Sequence, residues 1–419
     1  MTEVEKAEKQ AYQLPDNAFR ELKPGEEYEP IMRPDKVYPE VTPWSVSWGF
    51  VMVVLFSAAA AYLGLKVGQV FEAAIPIAII AIGLQQATHR KNAMGENVII
   101  QSIGACSGAV VAGAIFVLPA IYMLDLQASF FKIFLASALG GVLGILFLIP
   151  FRKYFVKDMH GKYPFPEATA TTQVLVSGAQ GGSQAKPLLL SGLIGGLYDF
   201  IVSTFGLWNE NFTSRVTEFG QYVADHAKLV FKVNTGAAVF GLGYIVGFRY
   251  ALIITLGSLS VWWLIVPALN LFMPDTVLNI WDPSITTPIG QMSPEDIFKN
   301  YGRSIGIGGI AMAGVIGIVK SWGVIKSAVS LAKREIKGKG ASQQEVIRTQ
   351  RDISFKIIGF GSAAVLLITF IFFYFGVMNF NLLHAVVAIL LVAVIAFLFT
   401  TVAANAIAIV GSNPVSGMT

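Results

Sequence analysis

Residues 161–173 read GKYPFPEATATTQ and separate two long apolar stretches of the chain. Two prolines, one carboxylate (Glu167) and a run of threonines and alanines interrupt the hydrophobic sequence on either side. In hydrocarbon, a broken backbone and hydroxyl groups would lack hydrogen-bond partners. We therefore expect this segment to line a water-filled cavity inside a bundle of membrane helices, and we expect a short helix to begin near residue 166.

The composition indicates a membrane protein. Hydrophobic residues make up 54% of the chain, charged residues 13%, and the mean hydropathy is +0.63. A transmembrane helix needs about 20 apolar residues, and runs of this length recur along the whole chain. The formal net charge of +4 argues against a nucleic-acid partner. Cys106 is the single cysteine, which excludes an internal disulfide.

The apolar runs predict an all-α polytopic transmembrane bundle of about ten spans, with broken or re-entrant half-helices in addition. The spans are expected at about 44–65, 68–88, 97–124, 131–151, 188–206, 233–247, 249–273, 303–331, 355–377 and 381–411. Small residues four apart predict close helix packing at Gly64 and Gly68, Gly104 and Gly108, Gly140 and Gly144, Gly192 and Gly196, Gly243 and Gly247, and Gly302 and Gly306.

Four regions differ in composition. Residues 1–43 have no apolar core and read as a polar, mostly extended cytoplasmic tail, whereas residues 44–419 form the transmembrane domain. Within that domain, 207–232 has the apolar spacing of an amphipathic helix, and 333–354 is a basic cytoplasmic loop. Gly411 to Thr419 contain a helix break and read as the opening of a further unit, so we expect the chain to be truncated.

Basic residues in the loops predict the orientation. They cluster at 152–162 and 333–356, whereas the loop at 274–300 is richer in acids. The positive-inside rule places both basic loops and the amino terminus in the cytoplasm, with the bundle in the inner membrane. An even number of crossings must then separate the two loops. This favours two short spans over 231–273, broken near Gly247, rather than one long tilted helix.

Enzyme signatures are missing from the sequence. It contains no G-x-x-x-x-G-K-[ST] and no H-E-x-x-H, and its four histidines are scattered. We therefore predict no catalytic residues, no cofactor and no metal site.

The third predicted span carries candidate ligand-binding groups. Asn97 and Gln101 are four residues apart, Ser102 follows, and the same helical face continues to Gly104 and Gly108. Amides beside bare backbone would suit a peptide-like ligand, which needs both donors and acceptors. The alternative is amide hydrogen bonding between neighbouring helices.

Further candidates lie at the two breaks of the chain. Tyr163, Thr169 and Thr171 belong to the first break and Asn413 to the second, and all four are expected to contact the ligand. Glu72, Glu96 and Glu167 are candidates for binding a proton, because partial burial raises the pKa of a carboxylate toward neutrality. For Glu167 the alternative is a plain helix cap in the first turn.

Four segments together resemble the oligopeptide transporter (OPT) family, most closely its bacterial members: GENVIIQS at 95–102, KYPFPEATA at 162–170, GLGYIVG at 241–247, and Asn413-Pro414. The resemblance runs from about residue 44 to the end of the chain. It implies proton-coupled uptake of small peptides or peptide-like metal chelates, and a bundle with more spans than this chain contains. The yellow-stripe carriers of the family have serine or glycine at the position of Glu167. The substrate of those carriers therefore cannot be assigned to this chain.

The sequence thus predicts a secondary active carrier in the lipid bilayer that moves a small peptide or peptide-like solute together with a proton. A carrier of siderophore-like metal chelates is the alternative in the same class. A membrane-embedded enzyme would need a catalytic constellation, which the sequence does not contain. A channel would need a continuous polar stripe, whereas the polar groups of this sequence are local. Solute identity, coupling ion and oligomeric state, including a homo-oligomer, stay open.

The orientation is testable at Ser342, in the centre of the basic loop. We expect a cysteine at this position to resist an impermeant thiol reagent added outside intact cells, because the loop faces the cytoplasm. Efficient labelling from outside would contradict the two-span interpretation of 231–273.

Overall fold

The computed structural model describes residues 14–67, 70, 73–90, 93–126, 128–179, 185–246, 248–279, 284–309 and 347–410, and single helical positions at 312, 316, 319, 322, 323 and 326. Glu72, Asn413 with the rest of the predicted chain-end break, and most of the predicted 333–354 loop lie outside these residues. The described chain is almost entirely helical, which confirms the all-α polytopic prediction.

The chain divides into two compact units. Unit 1, residues 1–186 and 314–418, contains α1 (Pro43–Val67), α2 (Ala74–Ala87), α3 (Met94–Met123), α4 (Phe130–Leu148), α5 (Pro166–Ala179), α12 (Phe355–Phe372) and α13 (Leu382–Val410). Unit 2 is centred on residues 187–313. It contains α6 (Ala185–Phe205), β1 (Asn211–Thr213), α7 (Glu218–His226), β2 (Lys232–Asn234), α8 (Ala237–Val246), α9 (Phe248–Leu259), α10 (Val266–Phe272) and α11 (Pro294–Ile297).

Six helical stretches of the described residues are long and apolar enough to cross a membrane: Pro43–Tyr62, Met94–Met123, Phe130–Phe151, Ala251–Phe272, Arg348–Val377 and Leu382–Ile409. The fourth combines α9 and α10 through a π-helical turn at Ser260–Ile265. The predicted span at 303–331 is helical over 303–309, and most of the remainder lies outside the described residues.

One predicted span contains a helix that is shorter than the bilayer. Among the described residues of the predicted span 68–88, the helix is the 14-residue α2, which extends about 21 Å at 1.5 Å per residue. The hydrocarbon core is about 30 Å thick. Of the predicted span 233–247, the described residues form the ten-residue helix α8, which follows the strand β2. Phe240 and Tyr244 of α8 are exposed.

The 207–232 segment is helical in α7 and in a short 3-10 turn at Ser214–Val216. The strands β1 and β2 lie before and after α7 and pair antiparallel, with Phe212 opposite Val233. Thr217 caps α7 by accepting a hydrogen bond from the Gly220 backbone N–H at 3.1 Å. The helical apolar spacing predicted over the whole segment therefore holds for its central turns, whereas the strand pairing depends on residues that are distant in sequence.

The core of unit 1 is built on α3. Helix α1 packs along α3, and α2 packs against both α3 and α5. Met52, Ile77 and Ile100 form one buried cluster where α1, α2 and α3 meet. Ala78 and Ile82 of α2 form another with Leu175 of α5. On the other side of the unit, α4 packs with α12 and α13.

Glycines take part in this packing at fewer places than their spacing predicted. A Cβ added at Gly104 would lie 2.7 Å from Ile77 Cδ1, and one at Gly178 would overlap Ile82. In contrast, a Cβ at any of several other predicted packing positions would meet no atom within 4 Å among the described residues: Gly140, Gly144, Gly196, Gly243 and Gly306. Small residues permit close approach, but only a facing helix produces it.

Gly178 and Gly140 provide a matched test of this packing. We expect Gly178→Ala to lower the melting temperature of the purified protein in detergent, because Ile82 is 1% exposed and has no room to retreat. Overpacking of this kind costs about 1–3 kcal/mol. Gly140→Ala should leave the melting temperature unchanged or raise it. Equal melting temperatures for the two variants would contradict the α2–α5 packing.

Candidate functional site

An ion pair between a buried carboxylate and a partly exposed arginine lies at the start of α3. Glu96 is 1% exposed. Arg90 donates from Nε to Glu96 Oε2 at 2.9 Å and from Nη2 to Oε1 at 2.7 Å. Thr42, just before α1, donates from its hydroxyl to Oε1 at 2.6 Å. The Arg90 guanidinium also lies over the ring of Trp44, 5.2 Å from its centroid.

This arrangement stabilises the charged forms of both partners. The bidentate contact matches the planar guanidinium to the carboxylate. The hydrogen bond to Glu96 is the main reason that the pKa of Arg90 lies above its ordinary value. Because both oxygens of Glu96 accept hydrogen bonds from donors, the ionised carboxylate is well satisfied despite its burial.

Asn97 lies beside the ion pair and is 2% exposed. Its Nδ2 donates to Oε1 of Gln85 on α2, and Gln85 Nε2 donates to the Arg90 carbonyl at 3.4 Å. The amide of Asn97 therefore links α2 to α3, which is the alternative that the sequence left open. Gln101 is partly exposed and Ser102 is exposed.

The predicted wall of bare backbone after Gln101 is not open at Gly104. Side chains of Ile77 and Met52 pack on that glycine, at 2.7 Å and 3.1 Å from the position of an added Cβ. The glycine serves helix packing at this position because α1 and α2 both approach α3 there.

The short helix α5 begins at Pro166, as the sequence predicted. Glu167 is in its first turn and is 9% exposed. The threonine hydroxyls that follow donate to backbone carbonyls earlier in the chain: Thr171 to Glu167 at 2.7 Å, Thr172 to Ala168 at 2.7 Å, and Thr169 to Pro164 at 3.1 Å.

These hydrogen bonds correct the argument made from the sequence. The hydroxyl groups do not need water, because each finds a carbonyl about one helical turn back. The threonine run therefore does not by itself indicate a water-filled cavity. The burial of Glu167, a carboxylate at the start of a helix shorter than the bilayer, is the stronger indication of an internal polar site.

The backbone turn before α5 is anchored to α13. Phe165 has a positive φ of 39° and donates from its backbone N–H to the Ala408 carbonyl at 3.0 Å. Tyr163 packs against Phe155 and Phe165, with centroids 6.1 Å and 6.2 Å away. Burial raises the pKa of Tyr163, and the nearby Tyr154 adds to this shift.

The structure places the middle of α5 next to the start of α3. Val98, next to Asn97, packs with Val174 and Leu175 of α5 in a cluster that includes residues of α2. Tyr163, Thr169 and Thr171 lie at the start of α5 with Glu167, and Tyr163 packs in a separate cluster that contains Phe155 and Ala408.

Three residues of this site were missed by the sequence analysis: Thr42, Gln85 and Arg90. A signal existed for Arg90, because α2 ends at Ala87 and α3 begins at Met94, so a short connection keeps a cation near Glu96. Thr42 carried no such signal. Among the described residues, no cluster of three or more His, Cys, Asp or Glu side chains could hold a metal ion.

The ion pair predicts an asymmetric effect of mutation. We expect Arg90→Met to lower the melting temperature more than Glu96→Gln, because removing the cation leaves a carboxylate buried without its counter-charge. The glutamine variant instead leaves Arg90, whose side chain is 37% exposed, within reach of water. Thermal unfolding of both variants in detergent measures this, and the reverse order would contradict the assigned geometry.

Comparison with known proteins gives a consistent result. The model of a family described as "OPT oligopeptide transporter protein" matches residues 40–419. A Haemophilus influenzae protein named "Putative oligopeptide transporter" is 26% identical over 268 residues, which are 61% of this chain and 38% of that protein. The matched region is thus well under half of the relative's length. No solved structure matches the chain.

Proposed function

Because the chain belongs to the OPT oligopeptide transporter family and is a multi-pass membrane protein, we propose that the whole protein takes up small oligopeptides across the bacterial inner membrane, coupled to protons. The family match and the name of the Haemophilus relative support peptides as the solute. This function makes the protein a carrier rather than an enzyme or a channel. The lipid bilayer, the peptide and the proton are its partners.

One structural observation carries the proposal: a buried carboxylate at the start of a half-length helix. Helices α2 and α5 have 14 residues each and pack on one another beside α3. Discontinuous helices of this kind form the solute sites of many secondary transporters, because their ends present backbone groups inside the membrane. Glu167 lies at such an end.

We assign proton binding to Glu167. The first turn of a helix attracts negative charge, either the Glu167 carboxylate or the terminal carboxylate of a peptide. Two carboxylates at this position would repel each other unless one is protonated. Protonation of Glu167 would therefore favour entry of the peptide carboxylate, and this linkage couples the two movements.

The other acidic candidates take different places in the proposal. The contacts of Glu96 with Arg90 and Thr42 suit a carboxylate that stays ionised, so we assign it to holding α3 in place. Glu72 remains a second proton candidate outside the described residues.

The proposed peptide contacts keep the polar groups predicted from the sequence. Gln101 and Ser102, which are at least partly exposed, supply an amide and a hydroxyl on α3, whereas Tyr163, Thr169 and Thr171 flank the start of α5. Asn97 contributes through its hydrogen bond with Gln85, which orients the amides between α2 and α3. Asn413 completes the set outside the described residues.

A cytoplasmic amino terminus belongs to the same proposal. Arg348, at the end of the basic 333–354 loop, pairs with Glu40 at 3.3 Å and donates to the Lys36 carbonyl at 3.4 Å. The polar tail and this loop therefore meet on one side of unit 1. The positive-inside rule identifies that side as the cytoplasm.

Glu167→Gln separates coupling from binding. We expect this variant, reconstituted in proteoliposomes as the full-length protein, to lose proton-driven accumulation of labelled di- to tetrapeptides. It should retain exchange of peptide across the membrane, because a neutral side chain mimics the protonated state. Glu218→Gln, which changes an exposed carboxylate in the first turn of α7, is the matched control.

Each remaining outcome decides between alternatives. Accumulation with an unchanged pH profile in Glu167→Gln would reduce Glu167 to a helix cap. Uptake of metal chelates but not peptides by the wild-type protein would favour the chelate carrier. Flux that does not saturate with peptide concentration would indicate a channel.

A further inference from the structure

The polar segment before α1 is seated on unit 1. Residues 14–42 have one short 3-10 turn, Asp16–Ala18, and otherwise no regular structure. They contain five prolines, at positions 15, 24, 30, 34 and 39. The sequence predicts a mostly extended, soluble tail, and residues 14–42 are indeed extended. However, contacts with other parts of the chain hold it in place, and we call residues 14–42 the strap.

Unit 1 contains two groups of helices that the strap spans. Helices α1 and α2 both pack against α3. Helix α4 packs with α12 and α13, and Arg152 after α4 pairs with Asp352 before α12. Direct packing between α3 and α4 is slight. We call these sets the α3 group and the α4 group.

The strap is fixed to the α3 group at its carboxyl-terminal end. A Cβ added at Gly95 would lie 2.5 Å from the Pro39 carbonyl oxygen and 2.9 Å from Glu40 Cγ, so only glycine fits this contact. Thr42 donates to Glu96 at 2.6 Å. The chain then continues directly into α1, which makes this end of the strap part of the α3 group.

The strap reaches the α4 group at the loop before α5. His160 Nε2 lies 2.8 Å from the Asn17 carbonyl oxygen, and the His160 ring packs at a tilt of 36° against that of Tyr28, with centroids 4.9 Å apart. Gly161 has a φ of +72°, and a Cβ there would overlap the backbone of Arg20. Gly161 therefore needs both a left-handed backbone and the absence of a side chain, which lets the strap approach it closely. We call His160 and Gly161 the seat of the strap.

A bidentate pair within the strap shapes the part that meets this seat. Arg20 donates from Nη2 to Glu26 Oε1 at 2.6 Å and from Nη1 to Oε2 at 2.8 Å. Arg20 lowers the pKa of Glu26 to about 2, and the backbone N–H of Lys23 adds to this shift. The pair therefore stays charged at any pH near neutrality.

We propose that the strap is a latch between the two helix groups, and that its contact with His160 and Gly161 opens and closes during the transport cycle. The inference rests on the proposed carrier function, because alternating access requires helix groups to move against each other. The loop at 160–161 leads within a few residues to Glu167, so release of the latch would leave the contact of Phe165 with Ala408 to hold the start of α5. The anchored end at Gly95 stays with α1 and α3.

A reversible cross-link tests whether the latch must open. We expect Tyr28→Cys with His160→Cys, made in a Cys106→Ser background and joined by a short reducible bismaleimide, to lose most peptide accumulation and exchange. Cleaving the linker with a thiol should restore both activities. Each single-cysteine variant treated with the same reagent is the control. Full activity of the cross-linked protein would show that the contact between the strap and His160 does not need to open, and would overturn the proposal.

A second measurement does not depend on the activity of the double variant. In inside-out vesicles, Tyr28→Cys alone should react faster with a fluorescent maleimide while peptide is being transported than at rest. Gly161→Val, which blocks the seat, should give the fast reaction even at rest. An unchanged rate during transport would overturn the latch.

The two proposals fail in different ways. If the wild-type protein transports no peptide, the carrier proposal fails, whereas slow labelling at rest that Gly161→Val accelerates would still support the seat. If peptide transport is normal and labelling at residue 28 never changes, only the latch fails.

Discussion

The rest of unit 1 depends on one buried charge, the carboxylate of Glu96. A carboxylate with 1% exposure is tolerated only with a counter-charge and hydrogen bonds. Arg90 supplies the charge from the end of α2, and Thr42 supplies a hydroxyl from the end of the strap. The single requirement to satisfy Glu96 therefore fixes the start of α3, the connection from α2 and the start of α1 at one point.

The two half-length helices, α2 and α5, are positioned relative to this ion pair by further contacts. Gln85 and Asn97 join α2 to α3, and Ile82 of α2 receives Gly178 of α5. The opposite end of α5 is held by the contact of Phe165 with α13. Helix α5 is thus fixed at both ends to different neighbours. This makes Glu167 sensitive to any relative movement of the α3 and α4 groups, which is what a proton-coupled carrier requires.

The OPT family assignment and the internal geometry support each other at this helix. The 162–170 segment that resembles the family is the same segment that the structure bends at Phe165 and starts as a helix at Pro166. The strap adds a second connection between the same helix groups, through His160 and Gly161. Coupling between distant parts of a protein needs such contiguous contacts together with an element that has two arrangements.

The sequence by itself determined the local features: apolar runs long enough to span, and the start of α5 at Pro166, because length and proline geometry act within a few residues. Only the tertiary structure decided the partners. It joined Thr42 and Arg90 to Glu96, packed Ile77 on Gly104 while leaving Gly140 open, and shortened the predicted span 68–88 to α2. Those outcomes depend on which helices meet. A linear pattern shows that a residue is small, apolar or charged, but not what faces it.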